Sequence, residues 1–466
     1  MRAIPRLVIG GTSSGVGKTT TVLALTRAFR ARGLRVAVFK AGPDYLDPTY
    51  HARAAKAPCH NLDGWMMGKD AVLDTFARAS QGADLALVEG VMGLFDGASA
   101  TGEEGSTAEI AKWLGAPTLL VVDASGMARS IAALVQGFAQ FDPALPLAGV
   151  VCNRVGSRGH LDLLGKAQRT PPILGGFPKE EALAFPERHL GLHTADEGVL
   201  PEGTLDAWGA RATEWLALDT LLEHARAAPA LAAPASLAST ASSRCRIGLA
   251  FDEALHFYYE DNLRRLEELG AELVRFSPIA DERLPDVDGL YLGGGYPEVH
   301  AAALSANEGL RRSLSEAHRR GMPIYAECGG LMWLCATLRT LDGKAHPMMG
   351  LVPAEAAMCE RLQALGYVEV ETQERSLLGP AGARFRGHQF RYSQLRGLDP
   401  AREGLYRVRR RRGGEVTREG YAAGNLVASY VHAHWASNPL VARAFVSACV
   451  EARERRAPGG PRDAGR

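Results

Sequence analysis

The segment Gly10-Gly11-Thr12-Ser13-Ser14-Gly15-Val16-Gly17-Lys18-Thr19-Thr20 stands between a short apolar run and a stretch with helical periodicity. Glycines in such a loop let backbone N–H groups surround phosphate oxygens, and the N-terminus of the following helix adds partial positive charge. Lys18 would supply a charge to the β- and γ-phosphates, and the Thr19 hydroxyl could bind magnesium. Five residues separate Gly11 from Gly17 where the strict motif has four, but the order of strand, loop and helix is retained. The sequence therefore predicts a nucleotide phosphate loop formed by Gly11, Thr12, Ser13, Ser14, Gly15, Val16, Gly17, Lys18, Thr19 and Thr20.

Short apolar runs alternate with longer helical segments on both sides of this loop. The runs are Leu7–Gly10, Arg35–Phe39, Leu85–Val88, Thr118–Val122 and Leu147–Cys152. They are rich in Val and Leu without polar alternation, which is typical of parallel strands buried on both faces and joined by crossover helices. The pattern predicts an α/β fold with a doubly wound parallel sheet.

Several polar residues stand where these predicted strands end. The carboxyl ends of parallel strands form the crevice in which ligands bind in open α/β sheets. We expect Thr19, Asp47 and Glu89 to bind the metal, Lys40 and Asp44 to act on the substrate or the transferring phosphate, and Asn153 to contact the nucleotide base. The alternative for Lys40, Asp44 and Asp47, taken singly, is that each is a turn residue, and Asn153 could instead cap its strand.

A change of composition divides the chain. Residues 225–244 are rich in Ala, Ser and Pro, carry few charges and include Pro229 and Pro234, so we interpret them as a linker. The predicted domains are 1–224 and 245–456, and residues 457–466 are predicted to be a flexible tail.

The second half of the chain repeats the α/β pattern. A helix is predicted over Tyr258–Leu269, where the periodic segment ends at a glycine. The predicted strands are Arg246–Phe251, Glu272–Phe276, Gly289–Leu292, Pro323–Ala326 and Leu426–Val431.

A candidate nucleophile stands between a strand and a helix in this second half. Cys328 and the two glycines after it form a tight turn, where a thiolate would be exposed and favoured by the helix N-terminus. The thiol also needs a base, and both His432 and His434 follow the last predicted strand. Acyl transfer needs an oxyanion site, and the backbone amides of Gly293, Gly294 and Gly295 are suitable donors. The alternative for Cys328 alone is a buried core thiol.

The overall composition excludes several classes of protein. The chain has 466 residues, is 46% hydrophobic, and balances 53 basic against 52 acidic side chains. This near-neutral charge argues against a general electrostatic partner such as nucleic acid or an anionic membrane, although the run Arg407–Arg412 is basic and is interpreted as a solvated turn. No long apolar stretch predicts a membrane span or a signal peptide, and the seven cysteines are scattered without a CxxC pair. We expect a cytoplasmic enzyme in a reducing compartment.

The motifs in both halves jointly resemble those of the cobyrinic acid a,c-diamide synthase family, which includes hydrogenobyrinic acid a,c-diamide synthases. The resemblance covers nearly the whole chain, and the five-residue spacing of the phosphate loop is also similar to that of dethiobiotin synthetase. It rests on residues 11–19, 40–48, 88–97, 105–108 and 186–192 of the first half, and on 257–263, 292–298, 326–332 and 430–435 of the second.

The resemblance implies a role for each half. The first half would be a P-loop NTPase domain with a parallel sheet like that of dethiobiotin synthetase. It would use ATP and Mg²⁺ to phosphorylate carboxylates of a corrin. Ammonia would convert each acyl phosphate to an amide, and the cycle would run twice, at the c and a acetate groups. The second half would be a class I glutamine amidotransferase of flavodoxin-like form that releases ammonia from glutamine. Cys328 and His432 would be its catalytic residues, and a homodimer is compatible with this reading.

Two positions depart from the family pattern. The family usually has Glu and His where this chain has Gln389 and Arg391. This segment could therefore have a structural role or could contact the corrin. Position 434, where other class I enzymes carry a Glu, is His here, in agreement with this branch of the family.

Three alternative functions remain at this point. The substrate could be another tetrapyrrole such as nickel-sirohydrochlorin. The chain could instead be a P-loop ATPase of partition or metallochaperone type with an inert second domain. Finally, it could be a glutamine-hydrolysing scaffold whose phosphate loop is regulatory.

Overall fold

The structure is a computed structural model that describes residues 4–180, 185, 200–231, 243–399, 402–411 and 413–456. The chain divides into two compact units, Met1–Leu237 and Ala238–Arg466. Each is an α/β unit, and the fold class predicted from the apolar runs is confirmed.

The first unit is built on a seven-stranded parallel sheet. Its strands are β1 (Arg6–Gly11), β2 (Val36–Ala41), β3 (His60–Leu62), β4 (Leu85–Glu89), β5 (Thr118–Asp123), β6 (Leu147–Val155) and β7 (Ile173–Pro178). The order across the sheet is β3-β2-β4-β1-β5-β6-β7, and all described pairs are parallel. Every residue of β1, β2 and β4 is buried, because helices cover both faces of the sheet.

The helices of the first unit follow the strands as crossovers. They are α1 (Lys18–Ala31), α2 (Leu46–Ala55), α3 (Gly64–Met67), α4 (Lys69–Ala79), α5 (Thr107–Leu114), α6 (Ser130–Phe141), α7 (Arg158–Ala167), α8 (Glu202–Trp215) and α9 (Leu218–Arg226). Helix α1 begins directly after Gly17, which has φ of 100°, and buries Val22, Leu25 and Phe29 in the core. This direct strand-loop-helix connection places the phosphate loop at the carboxyl edge of the sheet.

The second unit contains a ten-stranded mixed sheet. Its parallel part consists of β8 (Cys245–Ala250), β10 (Ala271–Phe276), β11 (Gly289–Leu292), β13 (Ile324–Glu327) and β22 (Leu426–Ser429). Their order is β10-β8-β11-β13-β22, so the first of these strands in the chain lies second in the sheet. This is the 2-1-3-4-5 order of flavodoxin-like folds.

The other half of that sheet is antiparallel and was not predicted. It adds β21 (Thr417–Ala423), β20 (Glu403–Arg410), β17 (Ala364–Thr372), β18 (Arg384–Arg391) and β23 (His432–His434). The basic run interpreted as a turn lies largely in β20, where Tyr406 and Val408 are buried while Arg407 and Arg409 are exposed. The turn interpretation was wrong because this period-two alternation is that of a half-buried strand.

Smaller elements complete the second unit. One four-stranded sheet comprises β14 (Cys335–Arg339), β15 (Ala345–Pro347), β16 (Val352–Met358) and β19 (Ser393–Arg396), and β9 (Leu255–Phe257) pairs with β12 (Gly294–Gly295). The helices are α10 (Glu260–Glu268), α11 (Ala301–Ala306), α12 (Glu308–Arg319), α13 (Gly329–Leu334) and α14 (Pro439–Arg456). Within the described residues, no helix has the length and apolar character needed to span a membrane.

The start of the predicted linker belongs to the first unit. Helix α9 continues to Arg226, and both Ala225 and Ala228 are buried. The apolar spacing of Leu218, Leu221 and Ala225 extends the helix past the predicted boundary. Residues 232–242 of the predicted linker and the predicted tail at 457–466 lie outside the described residues.

Arg6 fastens this segment to the sheet. Its guanidinium is fully buried and donates from Nε to the Leu114 carbonyl at 2.7 Å and from Nη2 to the Pro229 carbonyl at 2.6 Å. Burial lowers the pKa of Arg6 to about 10, a value at which the side chain is still charged at neutral pH.

We predict that Arg6→Met lowers the free energy of unfolding of the first unit by about 2–4 kcal/mol, because the buried hydrogen bond to the Leu114 carbonyl and the partly buried one to the Pro229 carbonyl are both lost. Arg35→Met is the matched control, since Arg35 is exposed and pairs with Asp84 at 3.2 Å; its effect should stay below about 1 kcal/mol. Hydrogen exchange in peptides covering β1 and α9 in urea measures both effects. Equal effects of the two substitutions would contradict the structural role of Arg6.

Candidate functional site

A cavity of about 730 Å³ opens at the carboxyl edge of the first sheet. Its lining includes residues from the phosphate loop, from β2 and β4, and from the ends of β6 and β7. Of the predicted site residues, the cavity is lined by Ser14, Gly15, Gly17, Lys18, Thr19, Thr20, Lys40, Asp44, Asp47, Glu89 and Asn153. Gly11 ends β1 and Val16 is buried in the core, so both support the loop from beneath.

Lys18 is held across the mouth of the phosphate loop. Its ammonium donates to the carbonyl of Ser13 at 2.9 Å and to that of Met92 at 2.5 Å. Burial lowers the pKa of Lys18 to about 8, with a further lowering from the Lys40 charge. The loop therefore holds a cation whose donors are satisfied by neutral carbonyls, which an anionic phosphate can replace.

Asn153 braces the phosphate loop from the end of β6. Its Nδ2 donates to the Val16 carbonyl at 2.8 Å. A Cβ at Gly17 would lie 2.1 Å from Asn153 Nδ2, so a side chain here would displace the Asn153 amide, and the φ of 100° also disfavours one. Contact of Asn153 with a nucleotide base stays a prediction.

A buried ion cluster forms the floor of the cavity. Lys40 Nζ lies 2.6 Å from Asp47 Oδ2 and 2.9 Å from Glu89 Oε1, and Thr19 Oγ1 donates to the same Glu89 oxygen at 2.7 Å. Burial alone would raise the pKa of Glu89, but Lys40 and His51 together outweigh burial, so the pKa lies below its usual range. The two carboxylates in turn hold the pKa of Lys40 above its usual value despite burial. Lys40 and Glu89 are therefore both charged at neutral pH.

His51 belongs to this cluster and was missed by the sequence analysis. It lies on α2, is completely buried, and its Nε2 contacts Glu89 Oε2. The signal available in the sequence was its spacing of four residues from Asp47, which places both side chains on one face of α2.

Asp44 has a local role that the sequence analysis did not assign. Its Oδ1 accepts the backbone N–H groups of Leu46 at 2.8 Å and Asp47 at 3.0 Å, at the N-terminus of α2. This contact fixes the helix that carries Asp47 and His51, while Asp44 also lines the cavity.

The oxygen donors around Thr19 suit a hard cation. Within the described ranges, no group of three or more His, Cys, Asp or Glu side chains could hold a metal ion by itself. Thr19 Oγ1 and Glu89 Oε1 are nevertheless adjacent oxygen donors beside the phosphate loop. Magnesium favours such a site, where one or two protein oxygens are completed by phosphate oxygens and water.

The second candidate site surrounds Cys328, between β13 and α13. Cys328 has φ of 45°, a conformation that non-glycine residues rarely adopt. A Cβ at Gly330 would lie 2.4 Å from the Leu292 carbonyl oxygen, and one at Gly329 would lie 2.8 Å from the Gly295 nitrogen. The glycines thus allow the nucleophile turn to pack directly on the backbone of the Gly-rich loop.

The resting thiol and its candidate base are both neutral. Burial raises the pKa of Cys328 to about 12, with Glu298 raising it further and Arg391 lowering it. Burial lowers the pKa of His432 to about 3. At neutral pH the site therefore contains a thiol and an imidazole that is free of its second proton, which is the state a general base needs.

His432 lies on the nucleophile side of β23. A Cβ at Gly294 would lie 2.5 Å from His432 Cε1, which places the imidazole against the Gly-rich loop. His434 instead lies beside Tyr259, with ring centroids 4.7 Å apart. These positions favour His432 over His434 as the partner of Cys328.

No role was predicted for Glu327, yet its carboxylate lies beside His432 in this site. The carboxylate is fully buried, accepts from Tyr325 Oη at 2.7 Å and from the Ala433 amide at 3.1 Å, and lies 3.9 Å from His432 Nδ1. Burial raises its pKa to about 7. Its position directly before Cys328 was the only signal available in the sequence.

The Gly-rich loop differs in one respect from the predicted oxyanion site. The Gly293 amide donates to Tyr258 Oη at 2.9 Å, so it is engaged within the fold, and its role in an oxyanion site stays a prediction. Gly295 N faces the nucleophile turn, and the Gly329 backbone amide lowers the pKa of Cys328. Both amides are therefore candidate donors for an oxyanion site.

Comparison with known families divides the chain in the same way as the fold. Residues 7–192 match the model of the CobQ/CobB/MinD/ParA nucleotide binding domain, and residues 246–440 match that of the CobB/CobQ-like glutamine amidotransferase domain. The predicted combination of a nucleotide-binding domain with a glutamine amidotransferase domain is confirmed.

Curated relatives match along nearly the whole chain. The cobyrinate a,c-diamide synthase of Leptospira interrogans is 53% identical over 449 residues, which are 96% of this chain and 99% of the relative. The cobyrinate a,c-diamide synthase of Salmonella typhimurium is 41% identical over 449 residues, 95% of this chain and 97% of the relative. A solved glutamine amidotransferase aligns with 44% of this chain and 98% of its own, at 19% identity and a TM-score of 0.33.

The raised thiol pKa gives a testable pH dependence. Alkylation of Cys328 by iodoacetamide in the ligand-free protein should increase about tenfold per pH unit from pH 8 to 10 without levelling, because only the thiolate reacts and its fraction is still small. Peptide mass spectrometry measures the rate, with the partly exposed Cys359 as the internal reference for the reagent. A plateau below pH 8 would mean that a thiolate already exists at rest.

Proposed function

The chain belongs to the cobyrinate a,c-diamide synthase family, and from this membership we propose how its residues divide the work of a glutamine-hydrolysing ligase in cobalamin biosynthesis. The first unit phosphorylates the a and c acetate carboxylates of cobyrinic acid with ATP. The second unit supplies the ammonia that converts each acyl phosphate to an amide. The observation that carries this proposal is the presence of a phosphate loop over a buried ion cluster and a Cys–His site in one chain.

In the first unit, residues 11–20 bind the phosphates of ATP, and Lys18 exchanges its carbonyl partners for phosphate oxygens. Thr19, Glu89 and Asp47 are the oxygen donors proposed for Mg²⁺, which when bound would neutralise charge on the phosphates. Lys40 keeps its ammonium between two carboxylates, so it offers a fixed positive charge to the transferring phosphoryl group. Asp44 holds the helix that presents Asp47, and Asn153 holds the loop that presents Lys18.

In the second unit, Cys328 Sγ attacks the side-chain carbonyl carbon of glutamine while His432 takes the thiol proton. The negative charge that develops on the carbonyl oxygen is stabilised by the amides of Gly295 and Gly329. The proton held by His432 passes to the departing nitrogen, ammonia leaves, and a thioester remains. Water then attacks the thioester with His432 again as base, which releases glutamate and restores the thiol.

Glu327 is proposed as the positioning residue for His432. Other class I enzymes carry a Glu two residues after the His, and this chain has His434 there. The carboxylate of Glu327 is 3.9 Å from His432 Nδ1 and is held by tyrosine and backbone donors. A negative group at this distance stabilises the imidazolium that forms when the thiol proton is transferred.

Two variants that should differ in whether they retain synthesis with ammonia test this division. We predict that Cys328→Ala lowers glutamine-dependent diamidation by about 10³-fold or more but leaves synthesis with ammonium chloride, because only the nucleophile is lost. Thr19→Ala should lower synthesis by about 100-fold or more with either nitrogen source, because phosphoryl transfer is lost. Mass spectrometry of the macrocycle counts the amide conversions.

Cys359→Ala is the matched control for the nucleophile, since Cys359 is a free, partly exposed thiol in the same unit. Failure of ammonium to rescue Cys328→Ala would contradict the division of labour. The same assay with hydrogenobyrinic acid and nickel-sirohydrochlorin identifies the preferred macrocycle, and two successive conversions of nickel-sirohydrochlorin alone would overturn cobyrinic acid as the substrate.

A further inference from the structure

Two residues of opposite charge, Glu298 and Arg391, adjoin segments that contact the nucleophile turn. Glu298 follows Pro297, whose Cδ would lie 3.1 Å from a Cβ placed at Gly329. Arg391 follows Phe390, whose carbonyl oxygen lies 3.9 Å from Cys328 Sγ. Both charges act on the thiol, since Glu298 raises the pKa of Cys328 and Arg391 lowers it. The two segments that contact the nucleophile turn thus carry a carboxylate and a guanidinium.

The Arg391 guanidinium is held in place by two contacts, but one of its N–H donors has no hydrogen-bond partner among the described residues. Its guanidinium carbon lies 4.4 Å from the centroid of the Tyr430 ring, and Nη1 donates to the Ser393 carbonyl at 2.5 Å. Its Nε is buried and has no hydrogen-bond partner among the described residues. A buried donor on a fixed guanidinium is suited to a carboxylate that arrives with a ligand.

Among the described residues, Glu298 has no cationic partner strong enough to offset the effect of burial on its carboxyl pKa. Burial raises the pKa of the Glu298 carboxyl to about 7. A cation bound beside it would favour the ionised carboxylate.

Glutamine presents both complementary charges. Only a short aliphatic chain separates its reacting amide from the α-carbon, which carries an ammonium and a carboxylate. When the amide carbon lies at Cys328 Sγ, both α-substituents must therefore lie near the thiol. We infer that Arg391 binds the α-carboxylate and Glu298 the α-ammonium of glutamine, so that this pair selects an α-amino acid rather than any primary amide.

This inference rests on the proposed glutaminase activity of the second unit and adds the recognition of its substrate. It also gives the departure at position 391 a function, because the family's usual imidazole would be a weaker carboxylate ligand than a guanidinium. Recognition by a charged donor rejects analogues that lack the matching group, since the protein charge is then left without a partner.

The test compares hydrolysis of three amides by three variants. L-glutamine carries both α-groups, L-glutaminamide lacks the free carboxylate, and glutaramate lacks the ammonium. Arg391→Gln should raise KM for glutamine by about 10- to 100-fold while changing KM for glutaminamide by less than about threefold. Glu298→Gln should raise KM for glutamine similarly while leaving glutaramate almost unaffected. Arg384→Gln, an exposed position on the same strand that pairs with Glu371, is the matched control.

Two further measurements separate binding from folding and from thiol chemistry. Ammonium-dependent diamidation reports the amount of folded enzyme, and Arg391→Lys should keep part of the preference for glutamine because it retains the charge. Alkylation of Cys328 by iodoacetamide, which has no α-amino acid group, should change far less than the KM for glutamine. Equal effects on all three amides, or no effect on any, would overturn the inference. Wild-type enzyme that hydrolyses no glutamine at all would instead overturn the proposed function on which the inference rests.

Discussion

Both candidate sites depend on a glycine in the turn after a buried strand, because a Cβ at that glycine would collide with a neighbouring group. At Gly17 a Cβ would lie 2.1 Å from Asn153 Nδ2, and at Gly330 it would lie 2.4 Å from the Leu292 carbonyl oxygen. In each unit a buried parallel strand ends in a glycine turn and continues as a helix. The functional side chain at that turn is therefore fixed by backbone rather than by its own packing, and Cys328 with its φ of 45° is the strained case.

A second constraint operates beneath the phosphate loop, where charge is buried. Lys40 lies between Asp47 and Glu89, and all three side chains are at most 4% exposed. Removing one member of such a cluster leaves an uncompensated buried charge, which costs far more than the loss of a surface ion pair. The cluster is thus poorly suited to stability alone, but it presents a fixed cation and an oxygen donor to a phosphate without reorganisation.

The sequence was informative where local pattern and tertiary structure coincide. The long Val- and Leu-rich runs became β1, β2, β4, β5 and β6 because buried parallel strands need no polar alternation. β3 has only three residues, and β7 is interrupted by Gly175 and Gly176, so neither run was apolar enough to recognise. The antiparallel strands β17 and β20 carry charged residues on their outer face, which concealed them among loops.

For the sites, too, residues in local motifs could be predicted from the sequence, whereas residues that come from distant segments could not. Lys18, Thr19 and Cys328 lie in contiguous motifs, so the chemistry of the turn could be predicted from neighbours in the chain. His51 reaches its site from α2, and its four-residue spacing from Asp47 was the one signal for it in the sequence. Arg391 reaches its site from β18, and the sequence marked it only as a departure from the family pattern. Gly293 shows the converse case, because its amide has the expected place in the loop but is engaged by Tyr258.

The central claim is that the first unit activates a carboxylate by phosphorylation before nitrogen is added. The most direct measurement follows oxygen from cobyrinic acid whose acetate carboxylates are labelled with ¹⁸O, with unlabelled ATP, Mg²⁺ and glutamine. An acyl phosphate intermediate requires that one labelled oxygen per amide formed appears in inorganic phosphate. Phosphate that stays unlabelled while both amides form would contradict this chemistry.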